Sequence, residues 1–273
     1  MAEVLLSPGV LARENDNTFI SSQPVQAGAA ILGPTVKGPV EVPTTVTSYN
    51  QYVRVFGETF ESASTKQEFL TSLAAKNYFS QGGDSLLVAR VVSASGTWGA
   101  ASSTHISASS NGGTPSFTLA TQGQGVLYNN CTGSGLYVGA TEENSDGSLK
   151  SGSVDNLRWE VSNVSNTLGT FTLSVRRGDD SSKNKVVLET FNNLSLDPNA
   201  DNYIEKAIGN QVKAIAGTSD NITTTGEYIN KSNYIRVSAV NSPTINYIGN
   251  DGNIRVGSLS GSLPTTDSGS FHS

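Results

Sequence analysis

The sequence contains very little of the chemistry on which most enzyme sites depend. Its 273 residues include one cysteine, Cys131, and only two histidines, His105 and His272. A single cysteine can form neither an intrachain disulfide nor a thiolate metal cluster, and both histidines lie in serine-rich stretches. Since no nucleophile, base and orienting group can be assembled from the motifs present, we expect no enzyme activity, no cofactor and no metal site.

Charged residues and long apolar runs are also scarce. Only 15% of the residues are charged, and the net charge is −6. An acidic chain without a basic run is a poor candidate for binding nucleic acid. Its apolar runs are too short to span a bilayer, and its N-terminus lacks the basic and apolar regions of a secretion signal. We therefore expect neither nucleic-acid binding nor membrane insertion, and folding in a reducing cytoplasm.

The low charge has a second consequence for the surface of the protein. It is combined with many serine, threonine, asparagine and glycine residues, which is typical of a β-rich protein with long polar loops. The cores of protein interfaces are depleted in charged residues. The composition therefore also favours a surface that packs against copies of itself.

One acidic segment partly imitates a calcium-binding loop. Glu142, Asn144, Asp146 and Gly147 follow the spacing of its first half. The first position should be aspartate, and the twelfth is Ser153 where a bidentate glutamate is needed. We interpret this segment as a polar turn, and we expect the acidic pairs at 142–143 and 179–180 to be solvated loop charges.

The first part of the chain predicts a small mixed α/β domain over residues 22–104. Residues 27–32 and 42–47 have the patterns of strands. Residues 85–92 are nearly all apolar, which is typical of a central strand covered on both faces.

Two capping boxes predict the starts of two helices in this domain. Ser48 and Gln51 form the first box, and Gly57 would end its helix. Thr65 and Glu68 form the second, followed by an apolar stripe over residues 69–78 that we assign to the core.

Short alternating strands predict an antiparallel β domain over residues 105–256, either sandwich-like or barrel-like. Period-two alternation places one set of side chains inward: Leu157, Trp159, Val161, Phe171, Leu173, Val175, Ile235, Val237 and Ala239. Residues 176–184 form a polar hairpin loop. Residues 257–273 are of low complexity and predict a linker or a truncated end. The fold class expected is α+β, with residues 1–21 as an extended N-terminal arm.

The segment 186–209 is predicted to join a strand to a capped helix in the β domain. Residues 186–188 form the strand, which ends at an asparagine-rich corner. Asp197 or Asp201 would cap the helix, and Gly209 would end it. We interpret this joint as structural. Its expected packing and turn residues are Glu189, Phe191, Leu194, Leu196, Asp197, Pro198, Tyr203, Ile204 and Ile208.

The N-terminal segment is apolar but interrupted, so two interpretations remain open. It is either disordered or a strand added to the sheet edge of another chain. Proline lacks an amide proton and glycine weakens a strand, which excludes a central strand of its own domain. The residues concerned are Val4, Leu5, Leu6, Pro8, Gly9 and Val10.

Three segments resemble tail sheath proteins of contractile bacteriophages. Residues 189–198, ETFNNLSLDP, followed by Asn202, Tyr203 and Ile204, are similar to a signature of that family. Residues 5–10, LLSPGV, resemble its opening, and residues 27–38, AGAAILGPTVKG, resemble the segment that comes next. The three matches occur in the expected order over about two hundred residues.

This resemblance implies a structural subunit. Sheath proteins assemble as hexameric discs into a helical sleeve around a tail tube, between a baseplate and a tail terminator. The sleeve shortens to drive the tube through the host envelope. Terminal arms link neighbouring subunits by strand addition, and residues 4–10 would be the arm of this chain. The expected partners are other copies of the chain, the tube protein, and the baseplate and terminator proteins, in a virion tail assembled in the host cytoplasm.

The extent of the chain and an alternative function complete the expectations. The family has a C-terminal α/β core that faces the tube, and this chain ends before anything similar, which implies a fragment or a shortened paralogue. The alternative function is a β-rich surface adhesin or receptor-binding module. An adhesin would expose an aromatic-lined groove, whereas a sheath subunit would assemble with itself and have no ligand pocket.

Overall fold

The computed structural model describes seven stretches of the chain. They are residues 28–62, 65–92, 101–107, 115–124, 144–149, 152–215 and 222–271. The predicted arm, with Val4, Leu5, Leu6, Pro8, Gly9 and Val10, lies outside these residues.

The described residues form a small α/β unit followed by a larger β unit, which is the α+β class expected. The elements of the first unit are β1 (Ala29–Gly33), β2 (Thr44–Val46), α1 (Tyr49–Phe56), β3 (Thr59–Ser62), β4 (Thr65–Glu68), α2 (Leu70–Ser80) and β5 (Leu86–Arg90). Those of the second are β6 (Ala101–Ser107), β7 (Pro115–Gln124), β8 (Leu157–Ser165), β9 (Thr170–Arg177), β10 (Val187–Ser195), α3 (Ile204–Ile208), β11 (Val212–Ile215), β12 (Ile222–Thr225), β13 (Ile235–Val240) and β14 (Asp267–Ser270).

Helix α1 begins and ends where the sequence predicts. The Ser48 hydroxyl accepts a hydrogen bond from the Gln51 amide at 3.2 Å, and Gln51 in turn accepts from the Thr47 amide at 2.8 Å. The chain leaves the helix at Gly57, whose φ is +76°. Tyr52 and Phe56 are fully buried, so the helix presents an apolar face to the core of the small unit.

The second capping box is wrong. Residues 65–68 form β4, which pairs antiparallel with β3, so their backbone groups are satisfied by a hairpin. Helix α2 begins at Leu70, and its N-cap residue Phe69 makes no side-chain cap bond.

Most of the apolar stripe of α2 is also not core, which corrects a second prediction, and only Tyr78 at its end packs against the core cluster. Leu70 is 82% exposed and Leu73 is 44% exposed, whereas Thr71, Ser72 and Ala75 are buried. The helix turns its small residues toward β1 because the two backbones lie close together. A Cβ atom added at Gly33 would lie only 2.6 Å from the Thr71 hydroxyl oxygen.

The small sheet is covered on one face only, in contrast to the prediction for residues 85–92. Its order is β1-β5-β2, with β5 in the centre. Leu86 and Val88 are buried beneath the helices. On the opposite face, Leu87 and Ala89 are half-buried and Leu32 is 72% exposed.

The two larger antiparallel sheets of the β unit pack face to face as a sandwich, and β11 and β12 form a separate two-stranded hairpin. One sheet has the order β10-β9-β8-β14 and the other β13-β7-β6. The rings of Phe117 and Phe171, one from each sheet, stack with their centroids 5.4 Å apart. The inward positions predicted on β8 and β9 are buried in this core. Most of the apolar burial that stabilises the fold therefore lies between these sheets.

Two predicted domain limits need correction. The limit between residues 104 and 105 falls inside β6, which pairs with β7 and so belongs to the β unit. Residues 257–273 do not form a linker as a whole. Residues Gly257–Ser262 form a 3-10 helix, β14 pairs with β8, and Leu263 and Phe271 are buried in the sandwich core.

The loop between β9 and β10 is less solvated than its composition suggests. Asp180, predicted to be a solvated charge, is buried and accepts hydrogen bonds from Arg176 at 2.7 and 2.9 Å and from Arg158 at 3.1 Å. It also accepts from the Val186 amide at 3.0 Å. The two arginines point away from the sandwich core on their strands, so the loop folds back over them and supplies the buried counter-charge.

A buried ion pair connects the α/β unit to the β unit. The ammonium group of Lys37 lies 2.9 Å from a carboxylate oxygen of Asp155, and about a tenth of each side chain is exposed. Lys37 follows β1 and Asp155 precedes β8. Removing one of two paired charges in such a poorly solvated position is strongly destabilising, because the remaining charge stays buried without a partner.

We predict that Asp155→Asn lowers the free energy of unfolding by about 3–5 kcal/mol, because it leaves the Lys37 charge buried without its partner. Urea denaturation measures the effect. The matched control is the double variant Lys37→Met/Asp155→Leu, which removes both charges and should recover most of the loss. A single variant as stable as the unmodified protein would contradict the assignment.

Candidate functional site

The predicted joint places a short helix in the core of the sandwich. Helix α3 packs against β10 and β13, and its residues Ile204 and Ile208 are fully buried. Tyr203 is nearly buried. Its ring packs edge-on against that of Tyr228, with 6.3 Å between the ring centroids. Leu194 and Leu196, from the approach to the helix, belong to the same core.

The strand and the helix cap of the joint differ from the prediction. Strand β10 does not stop at residue 188 but continues to Ser195. The expected corner is a bulge between Phe191 and Leu194, where Asn193 takes a positive φ of 55°. Asparagine tolerates this conformation better than most residues, so the strand bends there without ending.

Asp197 stabilises a turn and does not cap the helix. One carboxylate oxygen accepts from the Asn199 amide at 3.0 Å, and the other accepts from the Asn246 amide at 2.9 Å. Pro198 follows within this turn. The N-cap position belongs to Tyr203, which makes no side-chain cap bond. Asp197 thus connects the joint to the segment after β13.

Glu189 connects the joint to the loop before β13. One of its carboxylate oxygens accepts from the Ser232 hydroxyl at 2.6 Å. The other accepts from the backbone and side-chain amides of Asn233, both at 2.9 Å. Both oxygens are therefore occupied, and the loop is held against β10.

A cleft lies between the two units. Its cavity has a volume of about 570 Å³. One wall comes from the β1–β2 connection and α1, and the other from β7, the β11–β12 hairpin and the loop that Glu189 holds. Three cations line it, namely Arg54, Lys213 and Arg236, while no carboxylate is among the described lining residues.

No local pattern could have identified this cleft from the sequence. Its three cations are separated by more than twenty residues each along the chain and belong to α1, β11 and β13. Only Arg236 carries a partial signal, because it lies on the outward face of a predicted strand whose inward residues are apolar. The walls come together only when the two units pack.

The described residues contain no cluster of metal-ligating side chains. Within them, no three histidine, cysteine, aspartate or glutamate side chains lie close enough to hold a metal ion. Asp146, from the segment that imitates a calcium loop, accepts two hydrogen bonds from Ser148, which hold the pKa of its carboxyl below the usual value. The expected absence of metal, cofactor and catalysis stays a prediction.

Within the described part of the chain, no helix combines the length and the apolar character that crossing a bilayer requires.

Comparison with known proteins gives matches among solved structures alone. No protein family and no curated protein matches the sequence. A sheath tail protein from Desulfitobacterium hafniense is similar over 84% of this chain and 38% of its own length, with 11% identity and a TM-score of 0.31. A sheath tail protein from Listeria innocua is similar over 80% of this chain and 35% of its own length, with 8% identity and a TM-score of 0.35. This chain therefore spans a little over a third of the length of those proteins.

We predict that Ile204→Ala costs about 2–5 kcal/mol of stability, because it leaves a cavity where a fully buried side chain was. Thermal and urea unfolding measure the change. Ile229→Ala is the matched control, since Ile229 is largely exposed and its truncation should change stability by less than about 0.5 kcal/mol. Equal melting temperatures for the two variants would show that α3 does not pack as described.

Proposed function

We propose that this chain is a structural subunit of a contractile tail sheath. In this role it assembles with copies of itself into a helical sleeve of hexameric discs around a tail tube, between a baseplate and a tail terminator. The sleeve is built in the host cytoplasm, becomes part of the virion tail, and contracts to drive the tube through the host envelope. The proposed role includes no catalysis.

The observation that carries the proposal is the incomplete small sheet. A three-stranded sheet with helices on one face leaves its other face apolar, with Ala30 and Leu32 exposed and Leu87 and Ala89 half-buried beside them. Exposed contiguous apolar surface is a feature of interaction sites. A sheet in this state is suited to completion by further chain, either of the same protein or of a neighbouring copy.

The edges of this sheet support the same role. Strands β1 and β2 are its outer members, and no other described strand continues it. An unpaired strand edge is a template for another strand, because its backbone amides and carbonyls lack partners. The apolar residues of the N-terminal arm, joined to the unit through the polar stretch 13–23, have the composition of a strand that a neighbour donates.

The sequence segments that resemble sheath proteins add a second line of support. Two of them fall in described parts of the chain that carry the architecture. Residues 28–38 contain β1, which is an edge of the small sheet, and residues 189–204 contain most of β10 and the start of α3. The resemblance therefore involves both units.

The cleft between the units does not support the alternative, a surface adhesin or receptor-binding module. A carbohydrate- or receptor-binding groove would be lined by aromatic side chains, whereas no aromatic residue lines this cleft. The presence of a cleft nevertheless departs from the expectation that a sheath subunit has no ligand pocket.

We predict that deleting residues 1–12 leaves both units folded but abolishes ordered sleeves, because the donated strand is lost. The experiment uses the complete protein, with any chain beyond residue 273 included. Circular dichroism measures folding, and electron microscopy measures assembly. If the truncated protein still forms regular sleeves that contract, the arm is not the connector.

We also predict that Leu32→Glu weakens assembly without unfolding the protein, because a charge placed on the open sheet face cannot be buried in an interface. Leu168→Glu is the matched control. Leu168 is comparably exposed but lies in the β8–β9 turn, away from the small sheet. Sedimentation velocity and electron microscopy compare the two. Equal assembly by both variants would rule out the open face as a contact surface.

A further inference from the structure

The cleft between the two units carries positive charge in a protein whose net charge is negative. Arg54, Lys213 and Arg236 line it, and the described residues contribute no carboxylate to its lining. Arg54 comes from the α/β unit, whereas the other two come from the β unit. The site therefore exists only when the units are packed together, and cations from both units line one cavity.

These three cations have no partner among the described residues. None of them takes part in an ion pair or a side-chain hydrogen bond with the rest of the described chain, in contrast to Lys37, Arg158 and Arg176. Arg236 is half-buried, and this burial lowers the pKa of its guanidinium. A half-buried guanidinium without a partner is costly, and an incoming anion would offset that cost.

One carboxylate that contacts the lining of the cleft is already occupied. Both oxygens of Glu189 accept hydrogen bonds, one from the Ser232 hydroxyl and the other from the two amides of Asn233. Glu189 and Arg54 both affect the pKa of Tyr234, which lies two residues before Arg236; burial raises this pKa most, Glu189 raises it further and Arg54 lowers it. Glu189 is thus held by the loop that it fixes, and no ion pair joins it to a cation of the cleft within the described residues.

The amide side chains that border the cleft are also committed to one another. Asn230 donates to Gln122 at 3.3 Å and to the Gln211 carbonyl at 2.7 Å, and it accepts from the Gln211 amide at 2.9 Å. Gln122 in turn donates to the Ile235 carbonyl at 3.0 Å. These amides form a fixed wall with little capacity to solvate the cations.

We propose that this cleft is an anion-binding site for a ligand that carries carboxylate or phosphate groups. A cavity of about 570 Å³ has room for a small polycarboxylate or for a short acidic segment of a second copy of the chain. Each source would present oxygen acceptors to the guanidinium groups, which bind such groups in bidentate geometry. With a small anion the site is independent of the sleeve assembly proposed above, whereas with an acidic segment of a second copy it is one of the contacts of that assembly.

Two arms of one experiment identify the source of the anion. In the first, calorimetry titrates the protein with citrate and, separately, with inorganic phosphate. In the second, sedimentation measures self-association over a range of protein concentrations, with and without citrate as competitor. Both arms are repeated as the salt concentration rises from about 50 to about 500 mM, because screening weakens exposed charge interactions.

Two variants, Arg54→Gln and Arg236→Gln, test the site from its two walls. Each should weaken the observed interaction by at least about tenfold, since a hydrogen bond to a charged group is lost. Arg255→Gln is the matched control, because Arg255 is exposed and does not line the cleft. Since Arg54 is exposed, its variant is expected to fold even if the Arg236 variant does not.

Each outcome decides the proposal. Citrate or phosphate binding that both variants lose and the control keeps supports a small-anion site. Self-association that both variants lose, and with which citrate competes, supports an acidic segment of a second copy. Absence of both interactions would overturn the proposal. It would also be overturned if the Arg54 and Arg236 variants bound the anion, or self-associated, as strongly as the Arg255 control variant.

Discussion

The apolar core shared by the two sheets of the sandwich is the constraint on which the rest of the β unit depends. Phe117 and Phe171 stack across it, and the burial of such side chains provides the main favourable contribution to folding. Helix α3 closes the same core with Ile204 and Ile208. Because the core is closed at this point, the loops attached to β10 and β13 have fixed positions, and the polar contacts of Glu189 and Asp197 can then form between them.

The relation between the two units depends on a polar contact, not on shared apolar area alone. Lys37 and Asp155 form an ion pair in a nearly buried position. The distance and direction between the two charged groups are more restricted than the contacts in apolar packing. A charge pair has a preferred partner and direction, so it favours one arrangement of the units over others. The cleft follows from that arrangement, since one of its walls belongs to each unit.

Several local features of this fold could be predicted from sequence because they depend on neighbouring residues. The start of α1 is one example, since Ser48 and Gln51 act within a single turn. The alternation of Trp159 and Val161 with polar residues is another, because period two along a strand directly separates its faces. The second capping box was misread for a physical reason: Thr65 and Glu68 satisfy their backbones by pairing with β3, and this pairing prevails over a weak helix signal.

The sequence by itself determined the α+β class, the inward faces of β8 and β9, the first helix and the scarcity of histidine and cysteine, because composition and short-range spacing carry that information. Only the tertiary structure decided that Asp180 is buried between two arginines, that the stripe of Leu70 and Leu73 faces outward, and that Arg54, Lys213 and Arg236 line one cleft. These features depend on which surfaces meet, and that choice is made by packing between residues far apart in the chain.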